Sequence, residues 1–271
     1  MLVNARVLLK DKTSYCMKPT MPLIVSEPYP RVALITIDNQ AKRNAMSRDM
    51  MRELVALWDR LDQDSTRAVV LTGAGEKAFC AGADLGGDLS AGEDIAQMVN
   101  RSLQKTSVFT KPLIAAVNGD CAGGGVELLL ATDIRIAAEQ ARFGLPEVRW
   151  AIYPFGGATV KLVRQIGHVH AMDLLLTGRL ISAEEAARIQ LVNEVLPADQ
   201  VLDAAFARAQ MIAANSPSAV KAVKHQISAT AADQALSRES LEQELGDIVR
   251  ASTDFPEGIA AFREKRKPNY G

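Results

Sequence analysis

Apolar residues arrive along this chain in two rhythms. Short, β-branched bursts occur at 31–37 (Arg31-Val32-Ala33-Leu34-Ile35-Thr36-Ile37), 68–72, 113–117, 134–137 and 192–196, and each reads as a strand. Between them the spacing changes to the i, i+3, i+4, i+7 pattern of a helix with one buried face. Met51, Leu54, Val55, Trp58 and Leu61 follow it behind Ser47, a residue type suited to a helix N-cap. A second helix is expected from Asp94 to Val108, and a short one opens at Gly123-Gly124-Gly125. Ser182-Ala183-Glu184-Glu185 has the form of a capping box. Beyond Ala198 the pattern is almost wholly helical, with Ser216-Pro217 and Asp254-Phe255-Pro256-Glu257 marking two starts. Strands alternating with helices predict an α/β layered fold with a helical C-terminal region.

One position breaks the rhythm. In Gly124-Gly125-Val126-Glu127-Leu128-Leu129-Leu130, Glu127 lies one turn into a helix that is otherwise apolar on every side. Such a helix is buried, and a buried carboxylate must be paired, neutral or at work. Glu147 follows twenty residues later in Phe143-Gly144-Leu145-Pro146-Glu147. Two glutamates beside glycine-rich turns that bare backbone N–H groups point to acid–base chemistry next to a carbonyl.

Composition narrows the class. The chain has 271 residues, 48% hydrophobic and 23% charged, with a net charge of −1, so a large buried core is within reach and no overall nucleic-acid footprint is expected. Cys16, Cys80 and Cys121 form neither a metal-ligand spacing nor an even disulfide framework. Free thiols in a cytoplasmic compartment are the expectation. Three histidines (His168, His170, His225) leave little material for a zinc site or a Ser-His-Asp triad, and no metal is expected. No apolar run is long enough for a membrane span. Residues 1–20 read as a flexible extension, 21–200 as the α/β core and 201–271 as the helical region.

Gly73-Ala74-Gly75-Glu76-Lys77-Ala78 matches a dinucleotide-binding turn in letters only. That turn should open a helix at once, whereas here it runs into Phe79-Cys80-Ala81-Gly82-Ala83-Asp84. The glycine and alanine residues instead suggest a turn whose N–H groups face a cleft, where small side chains admit a ligand to the backbone.

Taken in order, Lys42-Arg43-Asn44-Ala45-Met46-Ser47, residues 75–85, Lys111-Pro112 through Asp133, Phe143 to Glu147, Leu176-Thr177-Gly178-Arg179 and the tail from Glu257 to Pro268 resemble the crotonase (enoyl-CoA hydratase/isomerase) superfamily. The resemblance implies a spiral of strand–strand–helix units whose C-terminal helices assemble a homotrimer, paired into a hexamer. It implies an oxyanion hole from the N–H groups of Ala81 and Gly124, and catalytic glutamates at Glu127 and Glu147. Contacts to coenzyme A are implied at Arg43, Ala45, Ala83, Asp84 and Leu85, with Phe262 and Lys265 arriving from a neighbouring subunit. Retention of both glutamates favours hydration of a 2-enoyl-CoA, or the reverse dehydration, with the CoA thioester as substrate and no cofactor. The alternatives are a double-bond isomerase using one glutamate, and a silent crotonase-fold protein that binds CoA or RNA. The chain departs from the hydratase pattern at Ala151 to Gly157, which is one residue shorter, and places Phe155 where a glycine would approach the catalytic water. That aromatic is expected to reshape the acyl pocket. Gln190 also stands where a glycine is common.

Overall fold

The structure is a computed structural model that describes residues 23–84 and 92–271. The N-terminal extension and Leu85 therefore lie outside the described residues. Two sheets organise the chain. The larger is built from β1 (Leu23–Tyr29), β2 (Val32–Ile37), β3 (Ala68–Gly73), β5 (Leu113–Val117), β7 (Ile134–Ala138) and β10 (Glu194–Leu196), paired in that order. β1 runs antiparallel to β2, and every other pair is parallel. The smaller sheet orders β4 (Ala78–Cys80), β6 (Asp120–Ala122), β8 (Arg142–Gly144) and β9 (Ile181–Ser182), with only β9 antiparallel.

Connectivity makes the two sheets a spiral. Three times the chain lays a strand in the large sheet, then one in the small sheet, then a helix. The triplets are β3–β4 with α2 (Glu93–Ser102), β5–β6 with α3 (Gly124–Leu129), and β7–β8 with α4 (Ala158–Ile166). This is the strand–strand–helix repeat expected above. It delivers the ends of β4, β6 and β8 side by side, and that is where the chemistry sits.

The strands read as unbroken apolar runs because both faces of the large sheet are covered. Ala33, Ile35, Val69, Leu71 and Ala115 face the main core beneath α1 (Arg48–Gln63). Val32, Val70, Ile114, Ala116 and Ile136 face outward onto Val201, Ala205, Phe206 and Ala209 of α7 (Val201–Ala213). α7 thus belongs to the packed core, although it begins after the expected boundary at residue 200. α5 (His168–Thr177) and α6 (Ala183–Arg188) lead to β10, and the Ser182 hydroxyl accepts the Glu185 N–H at 3.1 Å at the start of α6. α8 (Pro217–Ala251) is 35 residues long, about 52 Å, and α9 (Asp254–Glu264) folds back from its end.

Three local expectations differ from what forms. α2 ends at Ser102 rather than near residue 108. There Gln104 takes a left-handed φ of 50° and Lys105 turns into the interior at 1% exposure. Residues 78–80, read as part of a turn, are a strand, because β6 lies alongside to pair them. β1 was not anticipated at all. It is an edge strand whose side chains are exposed except for Leu23, so it carries little apolar signal. Gln190 holds φ of 66°, which explains why glycine suits that position.

Candidate active site

Glu127 occupies the first turn of α3, a helix whose residues 125–129 are all buried. Only glycine can stand at the helix entrance. Gly123 takes φ of 55°, and a Cβ there would lie 3.0 Å from Glu147 Oε1. A Cβ on Gly125 would fall 2.2 Å from the Cys80 carbonyl oxygen. Glu147 comes from the turn after β8, in a 3-10 helix over Pro146–Trp150. Adjacent strands of the small sheet thereby bring both acids to one cavity of about 310 Å³.

The two carboxyls differ in their surroundings. Glu127 accepts the N–H of Ala158 at 3.3 Å and that of Gly156. Glu147 Oε2 is buried with no hydrogen-bond partner. Burial raises the Glu127 carboxyl to about 7, against the pull of those two N–H groups and the charge of Lys105. Burial and then the neighbouring Glu127 raise Glu147 to about 8. Such protons belong to the pair. The physical result is a dyad that carries a shared proton near neutrality, since two buried like charges resist ionising together. One acid can then accept a proton while the other donates one.

The backbone donors are where the geometry corrects the expectation. Arg43 adopts a left-handed φ of 53°, and its carbonyl accepts the Ala81 N–H at 3.1 Å. Ala81 is therefore committed and not available to an oxyanion. Two residues on, Met46 pairs with this segment through its own N–H to Gly82 O and through Asp84 N–H to Met46 O, each near 2.8–2.9 Å. Ala83 lies directly opposite Met46 in this parallel bridge, whose two bonds use the Gly82 carbonyl and the Asp84 N–H, so the Ala83 N–H points away from Met46. It faces Gly124, on which a Cβ would lie 3.5 Å from Ala83 N, while a Cβ on Gly82 would sit 3.1 Å from Gly124 N. Gly124 N–H is at the head of α3, where amides lack intrahelical acceptors. The Ala83 and Gly124 amides thus stand beside one another in the cavity wall.

The remaining expected contacts sort themselves. Ala83 and Asp84 line the cavity; Arg43 and Ala45 lie on the adjoining strand-to-helix turn. Lys42 reaches Asp84 at 2.6 Å, and Arg43 stands 3.7 Å from Asp120. Phe262 lines the cavity of its own chain, edge-on to Trp150 at 5.3 Å. Lys265 is exposed at the end of α9 and takes no part in the wall. Phe155 lies in the wall but does not fill the space beside the acids. Its ring packs on α8, where a Cβ on Gly246 would sit 2.0 Å from Cζ, and Arg250 stacks over it at 4.4 Å. Gly156 takes the close position instead, for a Cβ there would be 2.3 Å from Glu127 Oε2.

The rest of the wall is mostly apolar, including Met46, Met51, Met98, Leu103 and Ile259. Sequence reasoning missed the Gly156 and Ala158 amides and the charged groups behind Glu127. A signal existed in Gly156-Gly157 at the start of α4. Cys80 is buried and its thiol pushed up to about 12, which removes it as a nucleophile. Among the described residues no cluster of three metal-ligating side chains forms, and no helix is long and apolar enough to cross a membrane.

The chain is similar to known proteins over most of its length. The profile of the enoyl-CoA hydratase/isomerase family matches residues 27–271. An enoyl-CoA hydratase (EchA19) of Mycobacterium tuberculosis is 43% identical over 88% of this chain and 92% of its own length. A 2,3-dehydroadipyl-CoA hydratase of Escherichia coli is 36% identical over 92% of this chain and 98% of its own. Among solved structures, a carnitinyl-CoA hydratase from Mycobacterium avium superposes with a TM-score of 0.84 at 36% identity, covering 92% of this chain and 98% of that one. By fold and by sequence, the chain belongs to the enoyl-CoA hydratase/isomerase family.

Proposed function

We propose that the protein is an enoyl-CoA hydratase-like lyase that adds water across the 2,3 double bond of an acyl-CoA thioester, or removes it in reverse. The single observation carrying this reading is the placement of two carboxyls, each pushed up by burial, and two neighbouring backbone amides around one largely apolar cavity. Each part answers a demand of the reaction. Attack on the β-carbon drives negative charge onto the thioester oxygen. Donors fixed before the reaction stabilise that charge most, and losing one such donor costs about 10²–10³ in rate. Ala83 and Gly124 supply them, and the head of α3 adds its positive end.

Glu127 and Glu147 hold the attacking water between them. The ionised partner takes its proton, and the protonated partner delivers one to the α-carbon. Gly123 and Gly156 let backbone and acids approach without a side chain between them. Apolar walls accept the acyl chain and keep stray water out. The turn at 43–46 and Asp84 stand at the cavity mouth to meet the CoA moiety. No cofactor enters the reaction.

The exposed apolar side chains Val223, Ile227, Leu236 and Ile248 of α8 support self-association, which we take to build trimers, with hexamers as pairs of them; a cytoplasmic setting belongs to the same proposal. Light scattering of the purified chain tests the assembly. For the chemistry, Glu127→Gln and Glu147→Gln should each lower crotonyl-CoA hydration by at least about 10² while leaving binding of an unreactive CoA thioester within severalfold. A variant that keeps near-full activity removes that glutamate from the mechanism. A product with a displaced double bond in place of a hydroxyl would favour isomerisation.

A further inference from the structure

A second polar cluster lies behind Glu127, on the side away from the cavity. Lys105 is 1% exposed and forms ion pairs to Glu242 at 2.5 Å and Glu239 at 2.7 Å, both on α8. Glu242 is 3% exposed. Its other oxygen accepts the Thr159 hydroxyl of α4 at 2.5 Å, and Thr159 in turn bonds the Tyr153 hydroxyl. Asn100 holds Glu239 at 2.8 Å. One buried cation thus ties the segment after α2 to α8 and, through Glu242, to the start of α4.

That cluster backs the loop that grips Glu127. Gly157 lies directly on the Lys105 stem, for a Cβ there would be 3.0 Å from Lys105 Cγ. Its neighbours Gly156 and Ala158 are the two residues whose N–H groups hold the Glu127 carboxylate. The loop is a thin sheet of glycine backbone with an acid on one side and an ammonium stem on the other. Burying a three-charge cluster is costly and is weak evidence for stability alone, so its place beside the dyad calls for another account.

We infer that Lys105 and Glu242 are positioning residues for the reaction, which fix the Gly156–Ala158 amides on Glu127 and set the charge that Glu127 experiences. The inference rests on the hydratase reading above and deepens it, since it assigns α8 a part in the chemistry. The charged and titratable groups facing Glu127 are Glu147 beyond β8, Lys105 after α2, Lys161 and Tyr153 around α4, and Glu242 on α8. Lys105 favours the ionised form of Glu127, whereas Glu242 opposes it. The two residues therefore predict opposite displacements, which a merely structural role does not.

The test is a pH titration of full-length Lys105→Met, Glu242→Gln and Thr159→Val. Glutamate carboxyls in the free protein are followed by ¹³C NMR, and kcat and KM are measured separately with crotonyl-CoA. Lys105→Met should raise the dyad's titration midpoint by about one unit, and Glu242→Gln should lower it by a similar amount. In each, kcat should fall about tenfold or more with KM within about threefold. Thr159→Val, which keeps both charges, should lower kcat with little midpoint shift. If Lys105→Met does not fold, Glu242→Gln preserves size and decides by the sign of its shift. Unshifted midpoints with wild-type kcat in folded variants overturn the inference, as do shifts of the same sign. If the wild type does not hydrate crotonyl-CoA, the hydratase reading fails, while the NMR midpoints still decide the positioning claim.

Discussion

Replacing Gly156 by alanine is the sharpest small perturbation available at the dyad. A Cβ at residue 156 would stand 2.3 Å from Glu127 Oε2 and 2.5 Å from Leu103 Cδ1. Relief to about 3.0 Å, the closest such contact tolerated, requires a displacement of about 0.7 Å. The Leu103 methyl can rotate away, so the carboxylate takes most of the movement. That movement pulls Glu127 from the N–H groups of Gly156 and Ala158 that hold it. Misplacement near 1 Å costs about 10² in rate, and forcing a methyl into a packed site costs about 1–3 kcal/mol of stability. Gly156→Ala should therefore lower kcat for crotonyl-CoA by about 10², with KM nearly unchanged. Its melting temperature should fall by roughly 2–10 °C. Gly92→Ala is the control, because among the described residues nothing lies within 4 Å of its Cβ position and its φ of 167° is ordinary extended backbone. A Gly156→Ala enzyme with kcat within twofold of wild type would show that Glu127 is not held as described.

Other consequences follow from the same contacts. Gly246→Ala places a Cβ 2.0 Å from the Phe155 ring and should cost about 1–3 kcal/mol in denaturant titration. Adding Phe155→Leu should recover part of that loss, and strict additivity of the two would deny the contact. For the dyad, the folded state holds protons that the unfolded chain releases near the ordinary carboxylate range. Its stabilisation is therefore complete below about pH 4.5 and drains away as pH rises through about 7 to 8. Glu147→Gln should remove part of that slope. The variant should gain roughly 1–3 kcal/mol relative to wild type at pH 8, compared with pH 5; an equal difference at both pH values contradicts the raised carboxyl. Ala83→Pro deletes the proposed turn donor and should cost about 10²–10³ in kcat; Ala81→Gly, which leaves every N–H in place, should be far milder. Equal losses in both would undo the assignment of Ala83.

Much of this was legible in the linear chain. The doubly covered strands and the cap at Ser47 follow from local pattern, and Glu127 announced itself as a carboxylate on an apolar helix. Glu147 stood out beside a glycine-rich turn, and the cavity contacts came through resemblance. What stayed hidden depends on pairing across the sheets. Whether Ala81 or Ala83 offers its N–H turns on a break in the strand at Gly82, whose φ of 98° leaves Ala81 bonded to the Arg43 carbonyl and Ala83 directly opposite Met46. Phe155 looked like an obstruction until Gly246, ninety-one residues later, supplied the space for its ring. Lys105 fell inside an expected helix that instead ends early, and its partners Glu239 and Glu242 read as an ordinary charged face of α8. Edge strand β1 left almost no trace because only one of its residues is buried.

Isotope tracing tests the central claim most directly. Crotonyl-CoA incubated with the wild-type protein in ¹⁸O-water should yield 3-hydroxybutyryl-CoA carrying one ¹⁸O at the hydroxyl, with the thioester intact, and Glu147→Gln should all but stop that incorporation. Recovery of unlabelled CoA ester, of a shifted double bond without added oxygen, or of label in a released carboxylic acid would contradict the account.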